Sequence, residues 1–433
     1  MDDVIEQTQF FRSAGSKAAT QSHFRAALAA VIGNAFEFYD YFLYSTAAAL
    51  VFGRIFFPTN DPAIGTLISL GSFAVGFVTR PVGGFVFGHI GDRFGRKVVM
   101  IWTLSLMGGA TFLIGLLPSF AQVGILAPIG LIALRLLQGF AAGGEWGGAI
   151  LMTTENAPTG RRGQFGAWSQ AGIGFGFVLA SGAFFLVQQL PTDQLLSWGW
   201  RLPFLASALI FSVGLYIRTK VVESNEYQLS AEVIRSPLKE ALTLHWREII
   251  VGALVRLSET CGSYMMTAFA LAYGAMVGVQ ASLMLLGVMA AMLVDTGMMI
   301  VFGRISDRIG RRKIYLAGII GMAAVTYPVF TMIASGSPVS VFTALIVANG
   351  FCHAAMVGVL PSLLTELFPV RVRLSGLGFA QGFVAIVSGM VPLTAMSVYT
   401  YFRSPLALAA MMCVICLTSA VALAFAKPFK HTM

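Results

Sequence analysis

The sequence predicts an all-α polytopic membrane protein, with twelve transmembrane helices in two parallel six-helix repeats. Three observations predict this fold class: the composition, the long apolar runs and an internal repeat of about 215 residues. Hydrophobic residues make up 57% of the 433 positions and charged residues only 11%, whereas soluble proteins carry about 25% charged residues. So little polar surface excludes a soluble enzyme, a disordered chain and a secreted disulfide scaffold.

The apolar runs have the length and continuity of transmembrane helices. A helix crosses the bilayer with about 20 apolar residues, whereas the strands of a membrane barrel alternate in polarity over about ten residues. Residues 98–117 and 406–426 are continuous apolar runs, which favours helices. The predicted spans are 24–51, 63–90, 98–117, 124–154, 164–190, 201–219, 248–275, 280–303, 314–334, 339–362, 375–400 and 406–426.

Basic residues predict the orientation of the spans, because Lys and Arg concentrate on the cytoplasmic side of membrane proteins. Of the 28 Lys and Arg residues, only Arg54, Arg201 and Arg403 fall on one face, and three more lie within spans. The others lie on the opposite face, which predicts cytoplasmic N- and C-termini. This asymmetry also explains the net charge of +9, so no nucleic-acid partner is expected.

A duplicated motif divides the chain into two halves. The loop 88–97 recurs as 303–312, and a second set of matches follows at an offset of 211 residues. Gly88, Asp92, Arg93, Gly95 and Arg96 correspond to Gly303, Asp307, Arg308, Gly310 and Arg311, and Glu155, Pro158, Arg162 and Gln170 correspond to Glu366, Pro369, Arg373 and Gln381. The same loop in the same orientation indicates parallel repeats about an axis along the membrane normal.

The repeat predicts five segments. The two six-helix bundles are 24–219 and 248–426, the central cytoplasmic loop is 220–247, and the cytoplasmic tails are 1–23 and 427–433. The segment 1–23 is polar and lacks the apolar core of a removable signal. The first span is therefore expected to act as its own insertion signal.

The duplicated loop resembles the signature of the major facilitator superfamily, and the Arg-Leu-Leu-Gln-Gly stretch at 135–139 resembles its second motif. More narrowly, four stretches resemble the metabolite:proton symporter family, which includes shikimate, α-ketoglutarate, citrate and proline/betaine carriers. These stretches are 80–84, 143–148, 155–158 and 198–204. The shikimate-transporter type is the most similar.

The resemblance implies proton-coupled uptake of a small polar metabolite across the bacterial inner membrane by alternating access. An organic acid is the favoured substrate, because arginines in a cavity suit carboxylates. A zwitterionic osmolyte of the proline or betaine type is the alternative, and a drug or metabolite efflux antiporter ranks below both. The implied partners are the small-molecule substrate, protons and the lipid bilayer, and the implied state is a monomer.

Carboxylates in the duplicated loops are candidates for a cytoplasmic gate. We expect Asp92 and Asp307 to accept hydrogen bonds at the N-terminus of a neighbouring helix and to pair with a nearby Arg, because the helix dipole favours an acid there. The alternative is that these residues determine topology only. The candidate gate residues are Gly88, Asp92, Arg93, Gly95, Arg96, Glu155, Gly303, Asp307, Arg308, Gly310, Arg311, Glu366 and Arg373.

Charged residues within the spans are candidates for proton coupling, because such residues are costly and line cavities or form pairs. The intramembrane charges are Glu37, Asp40, Arg80, Arg135, Glu145, Arg256, Glu259 and Asp295. Five acids against three arginines leave at least two acids without an internal Arg, and such an acid favours its protonated form. The proton-coupling candidates are Glu37, Asp40, Glu145 and Glu259.

Depth along the spans predicts three ion pairs: Glu37 with Arg80, Arg256 with Asp295, and Asp40 with Arg135. We expect Arg135 to alternate between Asp40 and an anionic substrate. The alternative is that the pairs are static and only satisfy buried charge. Polar stripes on the helices give Asn34, Tyr41, Arg135, Gln138 and Arg256 as candidate substrate-binding residues, and equivalent repeat positions add Gln170 and Gln381. His353, four residues from Asn349, is a further candidate for the C-half cavity, with a hydrogen-bonded packing histidine as the alternative that is favoured.

The sequence favours a transporter over other membrane proteins. An enzyme needs a metal cluster or a nucleophile with its base, and neither spacing is found, so no catalytic residue, metal or cofactor is expected. A nutrient sensor needs a soluble output domain, and the central loop 220–247 is too short for one.

Overall fold

The computed structural model describes residues 31–32, 34–36, 38–60, 62–155, 157–158, 160–219 and 237–426. The predicted tails 1–23 and 427–433, and the proton-coupling candidate Glu37, lie outside these residues. The described residues between 31 and 47 are helical and continue into a π-helical turn, Ala48–Phe52, and Gly53–Ile55. This is the first transmembrane helix.

The other eleven helices follow in chain order with the predicted spacing. They are Pro62–Val78 with Arg80–Phe94 (second), Arg96–Leu116 (third), Leu126–Glu155 (fourth), Arg162–Val187 (fifth), Arg201–Thr219 (sixth), Trp246–Tyr264 with Met265–Phe269 and Ala270–Met276 (seventh), Ala281–Ile309 (eighth), Arg311–Ala334 (ninth), Pro338–Leu345 with Ile346–His353, Ala354–Val357 and Leu360–Thr365 (tenth), Arg373–Gly389 with Val391–Phe402 (eleventh) and Pro405–Phe425 (twelfth).

Ten of the helices in the described residues are long and apolar enough to cross a membrane. They are the second to sixth and the eighth to twelfth. The seventh is more polar, because Arg247, Glu248, Arg256 and Glu259 all lie on it. Large apolar side chains on the bundle's outside are exposed, as Leu209 is at 73%, which is typical of a lipid-facing surface. The predicted all-α fold class is confirmed.

The repeat is visible in the backbone of the two duplicated loops. The second helix ends at Gly95 with φ +103°, and the eighth ends at Gly310 with φ +106°. L-residues rarely adopt this conformation, so both positions require glycine. Each glycine N–H closes its helix, onto the carbonyl of Gly91 at 3.1 Å and of Ser306 at 3.0 Å.

The halves, residues before 220 (N-half) and after 236 (C-half), pack through the second against the eleventh helix and the fifth against the eighth. A Cβ on Gly84 would lie 2.6 Å from the Gly378 carbonyl oxygen, and one on Gly163 would lie 2.5 Å from that of Gly303. Glycines thus let these helix backbones touch.

The described part of the predicted loop 220–247 is not a plain loop. Residues Pro237–Leu244 form a helix that packs against the second and eleventh helices. Ala241 is fully buried at this contact. The sequence did not predict this helix, because eight residues are too few to stand out as a span in a hydropathy profile.

Candidate transport site and latches

A narrow pocket lies in the N-half between the first four helices. It has room for about one water molecule. The residues that line it are Asp40, Tyr41, Gly76, Arg80, Met107, Arg135, Gln138, Gly139 and Ala142. Five of the predicted site residues, namely Asp40, Tyr41, Arg80, Arg135 and Gln138, therefore meet around one space.

Asp40 is bound mainly by neutral donors. Thr111 Oγ1 donates to Asp40 Oδ1 at 2.5 Å, and Gln138 Nε2 donates to the same oxygen at 2.6 Å. Arg135 Nη1 lies 4.0 Å from Asp40 Oδ2, at the outer limit of an ion pair. Asp40 and Arg135 are both buried. The predicted Asp40–Arg135 pair is present, but it is loose.

Aromatic rings hold the Arg135 guanidinium. Its carbon lies 4.4 Å from the centre of the Tyr44 ring and 4.8 Å from that of Phe73. Its Nε donates to the Phe73 carbonyl at 3.4 Å, and its Nη1 donates to Gln138 Oε1 at 3.2 Å. Within the described part of the chain, these contacts orient the guanidinium without a second carboxylate, so it remains suited to an anion.

Arg80 and Tyr41 line the same pocket. Arg80 lies over the Phe77 ring at 4.7 Å, and its predicted partner Glu37 is outside the described residues. The Tyr41 ring lies 6.1 Å from the ring of Tyr264 on the seventh helix. The Tyr41 side of the pocket thus contacts the other half of the protein.

A second buried group of charges lies in the C-half. His353 Nδ1 lies 3.1 Å from Asp295 Oδ1, and His353 Nε2 lies 3.5 Å from Glu259 Oε1. Arg256 Nε lies 3.5 Å from Glu259 Oε2 on the same helix. The predicted Arg256–Asp295 pair is therefore wrong: Asp295 faces His353 instead, since the seventh helix turns Arg256 toward Glu259.

Glu145 lies outside the pocket, contrary to its predicted proton-coupling position. Both of its oxygens accept hydrogen bonds from Arg218 on the sixth helix, and Thr103 Oγ1 donates to it at 2.6 Å. Ten residues separate Glu145 from Arg135, which turns the two side chains about 80° apart on the fourth helix. The sequence did not reveal Arg218 as this partner, because a basic residue in the last turn of a span is expected from membrane orientation alone.

The remaining substrate-binding candidates lie apart from the pocket lining. Asn34 Nδ2 donates to the Ser169 carbonyl at 2.6 Å, and Gln170 Nε2 donates to Ser169 Oγ at 3.2 Å. Gln381 is buried on the eleventh helix. Asn34 and Gln170 thus both bond Ser169, where the first helix packs on the fifth.

Two carboxylates from the duplicated loops bind helix N-termini of the opposite half, and we call these contacts the latches. Asp92 accepts bonds from the backbone N–H groups of Leu374 and Ser375 at 3.3 and 2.8 Å, and from Ser375 Oγ at 2.6 Å. Asp307 accepts bonds from the N–H groups of Gly163 and Gln164 at 2.8 and 3.0 Å. The hydrogen bonding expected for both residues is observed.

Ion pairs flank both latches. Arg373 Nη1 lies 3.1 Å from Glu155 Oε1, which again joins the two halves. Arg311 pairs with Glu366 and lies 3.6 Å from Asp307. Gate candidates Arg93 and Arg308 are instead exposed, and the Arg96 side chain lies outside the described set.

Comparison with known proteins identifies the family. The family model described as "Sugar (and other) transporter" matches residues 26–235, and the model described as "Major Facilitator Superfamily" matches residues 250–432. An Escherichia coli K12 shikimate transporter is 39% identical over 87% of this chain and 88% of its own. The chain belongs to the major facilitator superfamily. An inner membrane metabolite transport protein of the same organism, YhjE, is 39% identical over 84% of this chain and 85% of its own.

Two further comparisons, one with a sequence and one with a solved structure, support the same family and fold. A Salmonella typhimurium proline/betaine transporter is 33% identical over 85% of this chain and 76% of its own. The structure of the proton:xylose symporter XylE bound to 6-bromo-6-deoxy-D-glucose matches with a TM-score of 0.75 at 16% identity, covering 94% of this chain and 95% of that one. The protein is therefore a multi-pass inner-membrane metabolite transporter with the superfamily's twelve-helix fold, and not an enzyme. The family resemblance seen in the motifs is confirmed.

Proposed function

We propose that the protein is a proton-coupled symporter that takes up a small organic acid. The observation that carries this proposal is the loose Asp40–Arg135 contact in the pocket, with 4.0 Å between Arg135 Nη1 and Asp40 Oδ2. A guanidinium so held by aromatic rings can exchange one carboxylate partner for another.

The proposed coupling is a competition for Arg135. When Asp40 is ionised, it attracts Arg135 and opposes a substrate carboxylate. When Asp40 takes up a proton, the attraction ends and Arg135 binds the substrate instead, so that proton and substrate move together. Thr111 and Gln138 then keep the neutral Asp40 in place, since a hydroxyl and an amide can bond either form of a carboxyl group.

Alternating access supplies the movement. We propose that bundles 24–219 and 248–426 rock about the pocket, with both termini in the cytoplasm and the latches on the cytoplasmic side. Both latches are formed together, which corresponds to a closed cytoplasmic gate. The protein works as a monomer in the lipid bilayer with the substrate and protons as its partners, and with no nucleic acid.

The substrate class follows from chemistry and relatives together. Arg135 suits any carboxylate, and the shikimate transporter is among the relatives at 39% identity. A zwitterionic osmolyte is the second candidate, because proline/betaine transporters are 32–33% identical and such substrates also carry a carboxylate. The two classes differ in the ammonium group.

Uptake into proteoliposomes tests the proposal. Purified protein is reconstituted, labelled shikimate or labelled proline is added outside, and a pH gradient, acid outside, is imposed or omitted. We expect shikimate to accumulate only with the gradient and an ionophore that collapses the gradient to abolish accumulation. Accumulation that ignores the gradient, or is driven by the opposite gradient, would contradict symport, whereas accumulation of proline alone would favour the osmolyte.

A further inference from the structure

Three titratable side chains from three different helices meet in the C-half, and we call them the His353 cluster. Glu259 lies on the seventh helix, Asp295 on the eighth and His353 on the tenth. Their exposed fractions are 5%, 0% and 2%. Both nitrogens of the imidazole face a carboxylate: Nδ1 lies 3.1 and 3.2 Å from the two oxygens of Asp295, and Nε2 lies 3.5 Å from Glu259.

The donors and acceptors of these three side chains favour one additional proton in the cluster. A neutral imidazole has one N–H, and an ionised carboxylate only accepts. If the ring were neutral and both acids ionised, one ring nitrogen would present its lone pair to a carboxylate. One additional proton removes the conflict, as an imidazolium ring donates from Nδ1 to Asp295 and presents its second N–H, on Nε2, toward Glu259.

The summed charge of the cluster and its neighbour Arg256 leads to the same number of protons. The charged groups around His353 are Asp295 and Glu259, and Arg256 acts on Glu259. Tyr315 from the ninth helix donates its hydroxyl to the Val255 carbonyl at 2.8 Å. Arg256, Glu259, Asp295 and a protonated His353 sum to zero, whereas loss of the proton leaves these four described residues with a net charge of −1 within the membrane.

We propose that the His353 cluster is a second proton-binding site, which holds one proton between His353 and Asp295 while the latches are closed and releases it when they open. Its part in transport rests on the proposed symport, whereas the presence of the proton does not. The protein then moves two protons with each substrate, one at Asp40 and one here.

The eighth helix connects this site to a latch. Asp295 and Asp307 both lie on Ala281–Ile309, twelve residues or about 18 Å apart. His353 ends a π-helical segment, Ile346–His353, a type of segment common at functional sites. Opening of the Asp307 latch frees the eighth helix from the fifth, and its movement relative to the tenth changes the Asp295–His353 contact and admits water.

Nitrogen NMR of histidine tests whether the proton is present. The protein, labelled with 15N-histidine and held in nanodiscs, has five histidines, and His353→Gln identifies the signal of His353. At about pH 8 an unperturbed imidazole is neutral. We expect His353 to be an imidazolium there and to become neutral in Asp295→Asn, while Asp193→Asn, which changes an exposed residue, leaves it charged. A neutral His353 in the unchanged protein would overturn the proposal.

Coupling ratios test whether the proton is transported. The ratio of protons to shikimate is measured from the membrane potential at which net flux reverses. We expect two protons in the unchanged protein and one in His353→Gln, with Glu259→Gln replacing it if that variant does not fold. An unchanged ratio in a folded variant would overturn the transport role. Absence of any proton coupling in the unchanged protein would instead contradict the proposed symport and leave the NMR result standing.

Discussion

The two halves of the protein share their latches but differ in the chemistry of their buried charges. Asp92 and Asp307 occupy equivalent repeat positions, and both bind a helix N-terminus of the other half. In contrast, the described part of the N-half places Asp40 beside Arg135 in a narrow pocket, whereas the C-half encloses His353 between two acids. The duplicated sequence thus keeps the latches symmetrical, while in the proposed mechanism substrate binding and proton storage fall to different halves.

The largest effect is expected where a buried pair serves structure alone. Glu145→Gln leaves Arg218 without its carboxylate, and breaking a buried ion pair costs about 3–5 kcal/mol. We expect a clear fall in thermal stability, and no change in the ratio of protons to substrate. The double variant Glu145→Leu with Arg218→Met removes both charges and should recover much of the stability. A stable Glu145→Gln protein with an altered ratio of protons to substrate would show that Glu145 takes part in transport.

The second-largest effect is expected for Arg135→Lys, which should lose affinity for the substrate. A lysine keeps the charge but loses the planar fork that binds a carboxylate with two parallel bonds. Loss of a hydrogen bond to a charged group costs about 1.5–3 kcal/mol, or roughly 10- to 100-fold in the KM for shikimate. The control Arg403→Lys, at an exposed position, should transport normally. Unchanged KM in Arg135→Lys would show that Arg135 is a static partner of Asp40.

The symmetry of the gate is tested by Asp92→Asn and Asp307→Asn. Each change weakens charged hydrogen bonds to backbone N–H groups, at a cost of about 1.5–3 kcal/mol to the closed state. We expect both variants to insert normally and to lose accumulation of substrate to a similar degree, as measured by the steady-state ratio of substrate inside to outside. Full accumulation by either variant would show that the substituted acid takes no part in the gate and determines only the topology of the chain.

The smallest effect is expected from Gly310→Ala. A Cβ there meets no atom within 4 Å, so the only cost is the strain of a backbone conformation that L-residues rarely adopt, about 1–3 kcal/mol. A small fall in thermal stability with intact transport is the expected result. A loss as large as that of Glu145→Gln would mean that this turn also takes part in the movement of the gate.

Sequence alone predicted the latches because their determinants are local. A repeated motif and the preference of acids for helix N-termini were enough to place Asp92 and Asp307. The partners of Glu145 and Asp295 could not be predicted, because they depend on how each helix is rotated against its neighbours. The π-helical segment Ile346–His353 added to this difficulty, since it holds more residues per turn than the α-helical projection assumes.

The central claim is that Asp40 links proton uptake to substrate binding through Arg135. It is tested most directly by comparing two assays on Asp40→Asn: exchange of labelled for unlabelled shikimate, which needs no net proton movement, and uptake driven by a pH gradient. Asn mimics the protonated acid, so we predict that exchange persists while gradient-driven accumulation is abolished. Accumulation at the unchanged level would contradict the account.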